Sequence, residues 1–380
     1  MQVKLNLIAA AAAAIVAGSV SAQEMIVKIG HVAPISGAQA HLGKDNENGA
    51  RMAIEELNAK GVMIGGKKAK FELVAEDDGA DPKQGAAVAN KLVDAKVNGV
   101  VGHLNSGTSI PASKIYSDAG IPQISPSATN PKYTRQGFKT TFRVVADDVQ
   151  LGGTLGKYAQ QQLKGKSVAV IDDRSAYGQG VAEEFVKGLK AAGGNVVDTQ
   201  YTTDKATDFT AILTAAKAKN PDVVFYGGMD PQAGPMIRQM KQLGMNAKFV
   251  GGDGICSTEL PKLAGGAIAD NQVICAEAGG VDDSGKPAMT KFYADFKKKY
   301  GADVQIYAPY VYDAVNVMVA AMVKANSADP KVYLPVLAKT EGYKGVTGTI
   351  SFDEKGDIKN GALTLYTYKD GKKSPLAVVH

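Results

Sequence analysis

The chain has 380 residues and a small positive net charge, because 43 Lys and Arg residues stand against 38 Asp and Glu residues. The positive charge is spread along the chain, and its densest run, 297–299, is typical of a solvated helix face rather than of a nucleic-acid patch. The four histidines are scattered without metal-ligand spacing, so we expect neither a zinc site nor a nucleic-acid partner.

The first 22 residues have the pattern of a secretory signal peptide. Lys4 precedes an apolar run over 5–17, and small residues follow up to Ala22, where we expect cleavage. The apolar run is too short to span a bilayer comfortably, and no later stretch approaches about 20 unbroken apolar residues. We therefore expect an exported chain that is soluble after cleavage.

Strand-like and helix-like segments alternate after the leader. The first set predicts strands over 27–32, 71–75, 99–104 and 121–125, and helices over 43–60 and from Asp81, which is followed by Pro82. The second set predicts strands over 167–171, 196–201, 223–226 and 249–250, with helices over 180–192, from Asp208 and up to Leu243. Strands that alternate with helices indicate parallel sheets with right-handed crossovers, so two such sets predict two α/β lobes.

Polar segments follow the predicted strands of both lobes. In the first lobe these are "LNSGTS" at 104–109 and "ISPSATNP" at 124–131, and in the second lobe "GGDG" at 251–254. Ligands of open parallel sheets bind beyond the carboxyl ends of the strands, where helix N-termini favour an anion. The first lobe offers hydroxyl and N–H donors, whereas the second offers an acid, Asp253. Anion-binding groups on one side and a carboxylate on the other match a zwitterion.

The chain resembles the branched-chain amino-acid binding proteins of bacterial ABC importers, which are type I periplasmic binding proteins. The resemblance rests on "DDGADPKQGAAVANKLV", "GHLNSGTSIPAS", "ISPSATNP", "FRVVADD", "AYGQGVAEEF", "DVVFYGG", "GGDG" and "SFDEKGD", in that order. It implies two Rossmann-like α/β lobes with parallel sheets, joined by a hinge that the chain crosses three times, near 145–148, 276–279 and 353–356. The implied lobes are 23–146 plus 278–354 and 147–277 plus 355–380.

The resemblance also implies a set of ligand-binding residues. Ser106 and the loop 127–129 would surround the ligand carboxylate, while the Ser127 carbonyl, the Thr129 hydroxyl and Asp253 would hold the ammonium group. Tyr177 and Leu42 would lie beside the ligand side chain, and the remaining candidates are Asn105, Ala128 and Met229. The family often has Tyr in place of Met229 and Glu in place of Asp253. Tyr307 precedes a predicted helix over 308–325; lining the cleft is one interpretation of this residue, and a structural role is the one that we prefer.

The two cysteines, Cys256 and Cys275, form an even pair in a chain that we expect in an oxidising compartment. A disulfide between them is one interpretation, and two separate buried thiols are the other. The disulfide that the family often has in the first lobe is absent, because Ala80 and Asn105 stand at those positions.

Enzyme motifs are missing where a nucleotide-binding or hydrolytic enzyme would need them. The first predicted strand leads into "GHVAPISG" rather than the dinucleotide-binding motif G-x-G-x-x-G. The segment "LKGKS" at 163–167 lacks the earlier glycine of a phosphate loop, because residue 160 is Gln. The hydrolase motif G-x-S-x-G does not occur. Together with the resemblance, this absence leads us to expect a monomeric, cofactor-free, periplasmic binding protein that delivers Leu, Ile, Val or another aliphatic amino acid to a membrane ABC permease. The alternatives are a binding protein for an amide, urea or aromatic acid, and a soluble ligand sensor.

Overall fold

The computed structural model describes residues 24–281 and 285–379, so the predicted signal peptide lies outside the described residues. Two separate α/β lobes are built on two large sheets. The first sheet has the strand order β2-β3-β1-β4-β5-β6 and the second the order β15-β14-β11-β10-β9-β7-β8. The predicted fold of two α/β lobes is thereby confirmed.

The first sheet and its helices occupy the first part of the chain. Its strands are β1 (Met25–Ala33), β2 (Met63–Ile64), β3 (Lys67–Asp77), β4 (Gly99–Gly102), β5 (Gln123–Ser125) and β6 (Thr141–Arg143). The helices between them are α1 (Ala40–Lys60), α2 (Pro82–Asp94) and α3 (Ser106–Asp118), and a short 3₁₀ turn covers Pro131–Tyr133. All neighbouring strands pair in parallel except β2, which pairs with β3 in a hairpin.

The second sheet begins after a long helix, α4 (Asp148–Gln161). Its parallel strands are β7 (Val168–Asp172), β8 (Val196–Tyr201), β9 (Val223–Gly227), β10 (Lys248–Gly251) and β11 (Val273–Glu277). Helices α5 (Ala176–Ala191), α6 (Thr210–Lys217), α7 (Asp230–Gln242) and α8 (Leu260–Leu263) connect them, and a 3₁₀ turn covers Asp253–Ile255. Each strand runs into a turn and a helix, as the alternating pattern predicts.

The last part of the chain returns to the first lobe before it completes the second sheet. It contains α9 (Lys286–Tyr300), α10 (Ala308–Lys324), α11 (Pro330–Leu337), β12 (Tyr343–Gly345), β13 (Gly348–Ile350), β14 (Leu363–Lys369) and β15 (Lys372–Val379). Helix α10 packs against α1, whereas β14 pairs with β11. The chain therefore passes between the lobes after β6, after β11 and before β14. The exact lobe boundaries at 146, 277 and 354 stay predictions.

Side-chain caps account for where several helices begin. The Asp81 carboxylate accepts the backbone N–H groups of Lys83 and Gln84, which confirms the helix predicted from Asp81. The Ser175 hydroxyl accepts the N–H of Gly178, so α5 begins at Ala176 and the predicted start at Gly180 is wrong. This cap places Tyr177 in the first turn of the helix.

The edges of the sheets carry antiparallel strands in addition to the parallel strands that the alternating pattern predicts. Strands β14 and β15 form a hairpin that extends the second sheet in antiparallel orientation. The two-residue connection at Asp370 and Gly371 requires this orientation, because a parallel neighbour would need a long crossover. The antiparallel strands lie at the edges and leave the parallel strand ends at the site unchanged.

Candidate ligand-binding site

Two neighbouring strand ends of the first sheet lie side by side, because β4 pairs in parallel with β5. After β4 the chain enters α3 at Ser106, and after β5 it enters the loop 126–130. The Ser127 hydroxyl donates to the Leu104 carbonyl over 2.9 Å, and the Ser106 hydroxyl accepts the N–H of Asn130 over 3.2 Å. The small hydroxyls of both segments thus join the two loops into one surface.

A buried arginine binds the backbone of the loop 126–130, which forms part of this surface. Arg143 at the end of β6 is fully buried and donates from Nη1 to the carbonyls of Ala128 and Asn130, each over 3.0 Å. Its Nε lies 2.6 Å from a carboxylate oxygen of Asp357, which precedes β14. Arg143 therefore fixes the loop that carries the predicted site residues Ser127, Ala128 and Thr129.

The second lobe presents Asp253 in the 3₁₀ turn after β10, with 1 % of its surface exposed. The Tyr177 hydroxyl donates to Oδ1 of Asp253 over 2.7 Å and accepts the N–H of Gly254 over 2.9 Å. The Tyr307 hydroxyl donates to Oδ2 over 2.8 Å. Gly252 leaves room for this arrangement, since a Cβ there would lie 2.5 Å from the Tyr177 hydroxyl.

The electrostatic state of Asp253 is unusual for an acid. Burial raises the pKa of its carboxyl group to about 6, although the hydrogen bonds from Tyr177 and Tyr307 oppose this shift. No Lys or Arg of the described residues lies within ion-pair distance of this carboxylate. Burial raises the pKa of both tyrosines well above the ordinary range, so both hydroxyls remain donors. Asp253 is therefore a buried acid that would be stabilised by a cation.

These groups line a narrow space of about 10 Å³ between the lobes. The first lobe contributes Leu104, Asn105, Ser106 and Ser127, the second contributes Tyr177, Met229 and Asp253, and Tyr307 comes from the segment before α10. Six predicted site residues thus line one cavity, namely Asn105, Ser106, Ser127, Tyr177, Met229 and Asp253. Three predicted residues, Leu42, Ala128 and Thr129, are fully buried outside its lining, and their roles stay predictions.

Several polar atoms near the cavity have no hydrogen-bond partner among the described residues. They include the side-chain carbonyl oxygen of Asn105, whereas the Thr129 hydroxyl lies beside the Asp148 carboxylate and acts to lower its pKa. Burial raises the pKa of Asp148 well above the ordinary range, and the charge of Asp253 acts in the same direction. Unpartnered buried polar atoms are costly, so they mark a place where a polar ligand would be stabilised.

Sequence reasoning missed Leu104 and preferred a structural role for Tyr307, but both residues line the cavity. The carboxylate of Asp45 in α1 accepts the backbone N–H groups of 305–308, over 2.8 to 3.2 Å, and so fixes Tyr307 in the cavity wall. No local pattern around Tyr307 indicates a contact with a residue 54 positions away. Leu104 lies within the quoted strand-end motif, which could have identified it.

The turn that carries Asp253 is also tied to the neighbouring strand. Cys256 follows the turn, Cys275 lies in β11, and their sulfur atoms are joined at 2.04 Å with the Cα atoms 5.5 Å apart. The parallel register pairs Gly251 of β10 with Cys275, which brings the two cysteines together.

The two-lobed fold described above agrees with what comparisons with known proteins show. A family model described as "Periplasmic binding protein" matches residues 26–373, which is most of the chain. The chain belongs to the periplasmic binding protein family. Within this family, the Leu/Ile/Val-binding protein homolog 1 of Brucella abortus is 38 % identical over 362 residues, which cover 95 % of each chain.

Two solved members of this periplasmic binding protein family have the same fold. The leucine-binding protein of Thermotoga maritima superposes with a TM-score of 0.86 at 28 % identity, covering 93 % of this chain and 99 % of that one. The branched-chain amino-acid transporter substrate-binding protein of Streptococcus pneumoniae, solved with isoleucine, gives a TM-score of 0.82 at 28 % identity and the same coverage. In the described part of the present chain, no helix is long and apolar enough to cross a membrane.

Proposed function

We propose that this periplasmic binding protein captures an aliphatic amino acid, such as Leu, Ile or Val, between its lobes and delivers it to a membrane ABC permease. One observation carries the proposal: the buried Asp253 carboxylate faces the hydroxyl-rich strand ends of the other lobe without a basic side chain of the described residues beside it. An amino acid would supply both the missing cation and a carboxylate for the opposite wall.

The carboxylate of the ligand would be bound by the first lobe. The first N–H groups of α3 lack acceptors within the helix, and the helix dipole favours an anion at this end. The hydroxyls of Ser106 and Ser127 lie beside it at the cavity wall.

The ammonium group would be bound by Asp253, with the Ser127 carbonyl and the Thr129 hydroxyl as further acceptors. Tyr177 and Tyr307 hold both oxygens of the Asp253 carboxylate in a fixed orientation. A charge-assisted hydrogen bond of this kind contributes about 1.5–3 kcal/mol, which corresponds to roughly 10- to 150-fold in affinity. The interaction would be strengthened by the low exposure of the site.

The side chain of the ligand would contact the apolar part of the wall. Leu104, Met229 and the ring of Tyr177 supply this part, and Leu42 is expected nearby. The names of the relatives support an aliphatic ligand, because they bind leucine, isoleucine or valine according to those names.

Export and closure complete the proposed function. Cleavage after Ala22 would release the mature protein into the periplasm, and a monomer would meet the permease there. The lobes 23–146 plus 278–354 and 147–277 plus 355–380 would close around the ligand, with the three connections acting as a hinge. The proposal includes no cofactor and no chemical step.

A ligand screen tests the proposed function. The protein is unfolded, dialysed free of bound solutes and refolded, and its thermal unfolding is measured with Leu, Ile, Val, other amino acids, amides, urea and benzoate. We expect the largest rise in melting temperature with an aliphatic amino acid, because only the folded state binds it. A rise with an amide, urea or benzoate but with no amino acid would contradict the proposal and favour that ligand class.

A further inference from the structure

Several polar contacts join the lobes outside the ligand cavity, and one of them pairs a histidine with an acid. His41 lies at the start of α1 in the first lobe, and Asp230 is the first residue of α7 in the second lobe. Nε2 of His41 lies 2.7 Å from Oδ2 of Asp230. Neither residue lines the cavity. Each is adjacent in sequence to a predicted ligand-binding residue, since His41 precedes Leu42 and Asp230 follows Met229.

The surroundings of Asp230 favour a positively charged partner. Its side chain is fully buried, and Oδ2 also accepts a hydrogen bond from the Ser257 hydroxyl. Its Oδ1 has no hydrogen-bond partner among the described residues. Because Ser257 belongs to the same lobe, the carboxylate keeps only this neutral donor when the lobes separate. Closure therefore brings the imidazole of His41 to an acid that lacks a cation.

Three acids act on the imidazole of His41. Asp230 and Glu259 face it from the second lobe, and Asp45 faces it from its own helix. Burial opposes a charge on the imidazole, but the hydrogen bond and the charge of Asp230 outweigh this effect and raise the pKa of His41. The side chain remains 22 % exposed, so protons can reach it.

We propose that His41 and Asp230 form a latch that exists only when the lobes are closed and that slows the release of the bound ligand. This inference rests on the proposed function, since it concerns the lifetime of the closed, amino-acid-bound form. The pair adds stability to the closed form without touching the ligand. It therefore determines the residence time rather than the choice among amino acids.

The latch has a defined dependence on pH. A group whose pKa is higher in the closed form than in the open form stabilises closure fully below its ordinary pKa. This contribution is lost as the pH rises through the raised pKa of the closed form. The latch is therefore strongest in mildly acidic solution and weakest in alkaline solution, near the range in which histidine titrates.

Stopped-flow release of leucine tests the latch. We compare the parent protein with His41→Gln and Asp230→Asn, which each remove one charge, and with the double variant. At about pH 6 each variant should release leucine roughly fivefold faster than the parent, with association rates within about twofold. At about pH 8 this difference should fall below about twofold, and the double variant should release leucine no faster than the single variants.

The control variant removes an ion pair that lies within one lobe and does not join the two lobes. Lys114 and Asp118 form an exposed ion pair within α3, 2.8 Å apart, so Lys114→Gln should leave the release rate unchanged at both pH values. Titration of Asp253 affects the parent and the His41 variant alike, so the ratio of their release rates reports only the effect of the latch.

Equal release rates for parent, His41→Gln and Asp230→Asn at both pH values would overturn the latch while leaving amino-acid binding intact. A parent protein that binds no amino acid in the ligand screen would overturn the proposed function as well.

Discussion

Tyr307 and Asp253 join the two lobes at the wall of the cavity, where the tyrosine hydroxyl donates to Oδ2 of the aspartate over 2.8 Å. The first residue belongs to the segment that Asp45 fixes against α1, and the second to the turn after β10. This bond holds the carboxylate in one orientation and depends on the closed arrangement of the lobes. It therefore links ligand recognition to closure.

Replacing Tyr307 by Phe should weaken leucine binding about three- to tenfold, because Asp253 loses one of its two hydroxyl donors and the closed form loses a contact between the lobes. Calorimetric titration measures the change. The matched control is Tyr312→Phe on α10, whose hydroxyl donates to Glu56 outside the cavity over 2.6 Å. Equal affinities for Tyr307→Phe and the parent would show that this bond is not part of the binding site.

Leucine affinity should also depend on the ionisation of Asp253. Burial raises its pKa to about 6 in the ligand-free protein, whereas a bound ammonium group favours the ionised form. The ligand-free protein therefore binds more protons, so affinity is highest above about pH 6 and falls as the pH decreases below that value. Calorimetry between about pH 4.5 and pH 8 in the His41→Gln variant measures this dependence without the latch. A dependence that persists unchanged after Asp253→Asn would assign it to another group.

Replacing both cysteines by Ala should lower the free energy of unfolding by roughly 3 kcal/mol, because Cys256 and Cys275 are 19 positions apart and close a loop in the unfolded chain. Urea unfolding of the parent and the double variant gives this difference. In parallel, alkylation without prior reduction should add no label to the intact mass, whereas reduction should expose two thiols. Two labelled thiols without reduction would contradict the disulfide.

Replacing Arg143 by Met should lower the free energy of unfolding by about 3–5 kcal/mol, because it leaves Asp357 without its buried partner and frees the carbonyls of Ala128 and Asn130. Where the variant remains folded, leucine affinity should fall as well. Arg135→Met is the control, since its ion pairs with Asp147 and, at 3.9 Å, with Asp357 are partly exposed and should contribute less than about 1 kcal/mol. Similar losses in the two variants would show that Arg143 has no special supporting role.

The sequence-based predictions succeed where the site depends on strand ends. Ser106, Ser127 and Asp253 follow buried parallel strands, and such strands end at the same edge of a sheet. Their approach to one cavity therefore follows from the alternating pattern together with the family resemblance. The antiparallel hairpin at the end of the chain extends the second sheet only at its edge, so the parallel strands β7 to β11 keep their order.

The contacts that the sequence does not reveal are those made by tertiary packing. Tyr307 reaches the cavity only because α10 packs against α1 and Asp45 binds the backbone in front of it. His41 and Asp230 are 189 positions apart and meet only through the relative placement of the lobes. No periodicity or motif encodes such a distance, so a structure was needed to find both contacts.

The proposed function depends most on the pairing of Asp253 with a ligand ammonium group, and one calorimetric comparison tests this pairing directly. Refolded, ligand-free parent protein is titrated with leucine and with 4-methylpentanoate, which has the same carbon skeleton and carboxylate but no ammonium group. Leucine should bind the parent at least about tenfold more tightly than 4-methylpentanoate, and Asp253→Asn should remove most of this preference by weakening leucine binding alone. Equal binding of the two ligands by the parent, or an unchanged preference in Asp253→Asn, would contradict the account.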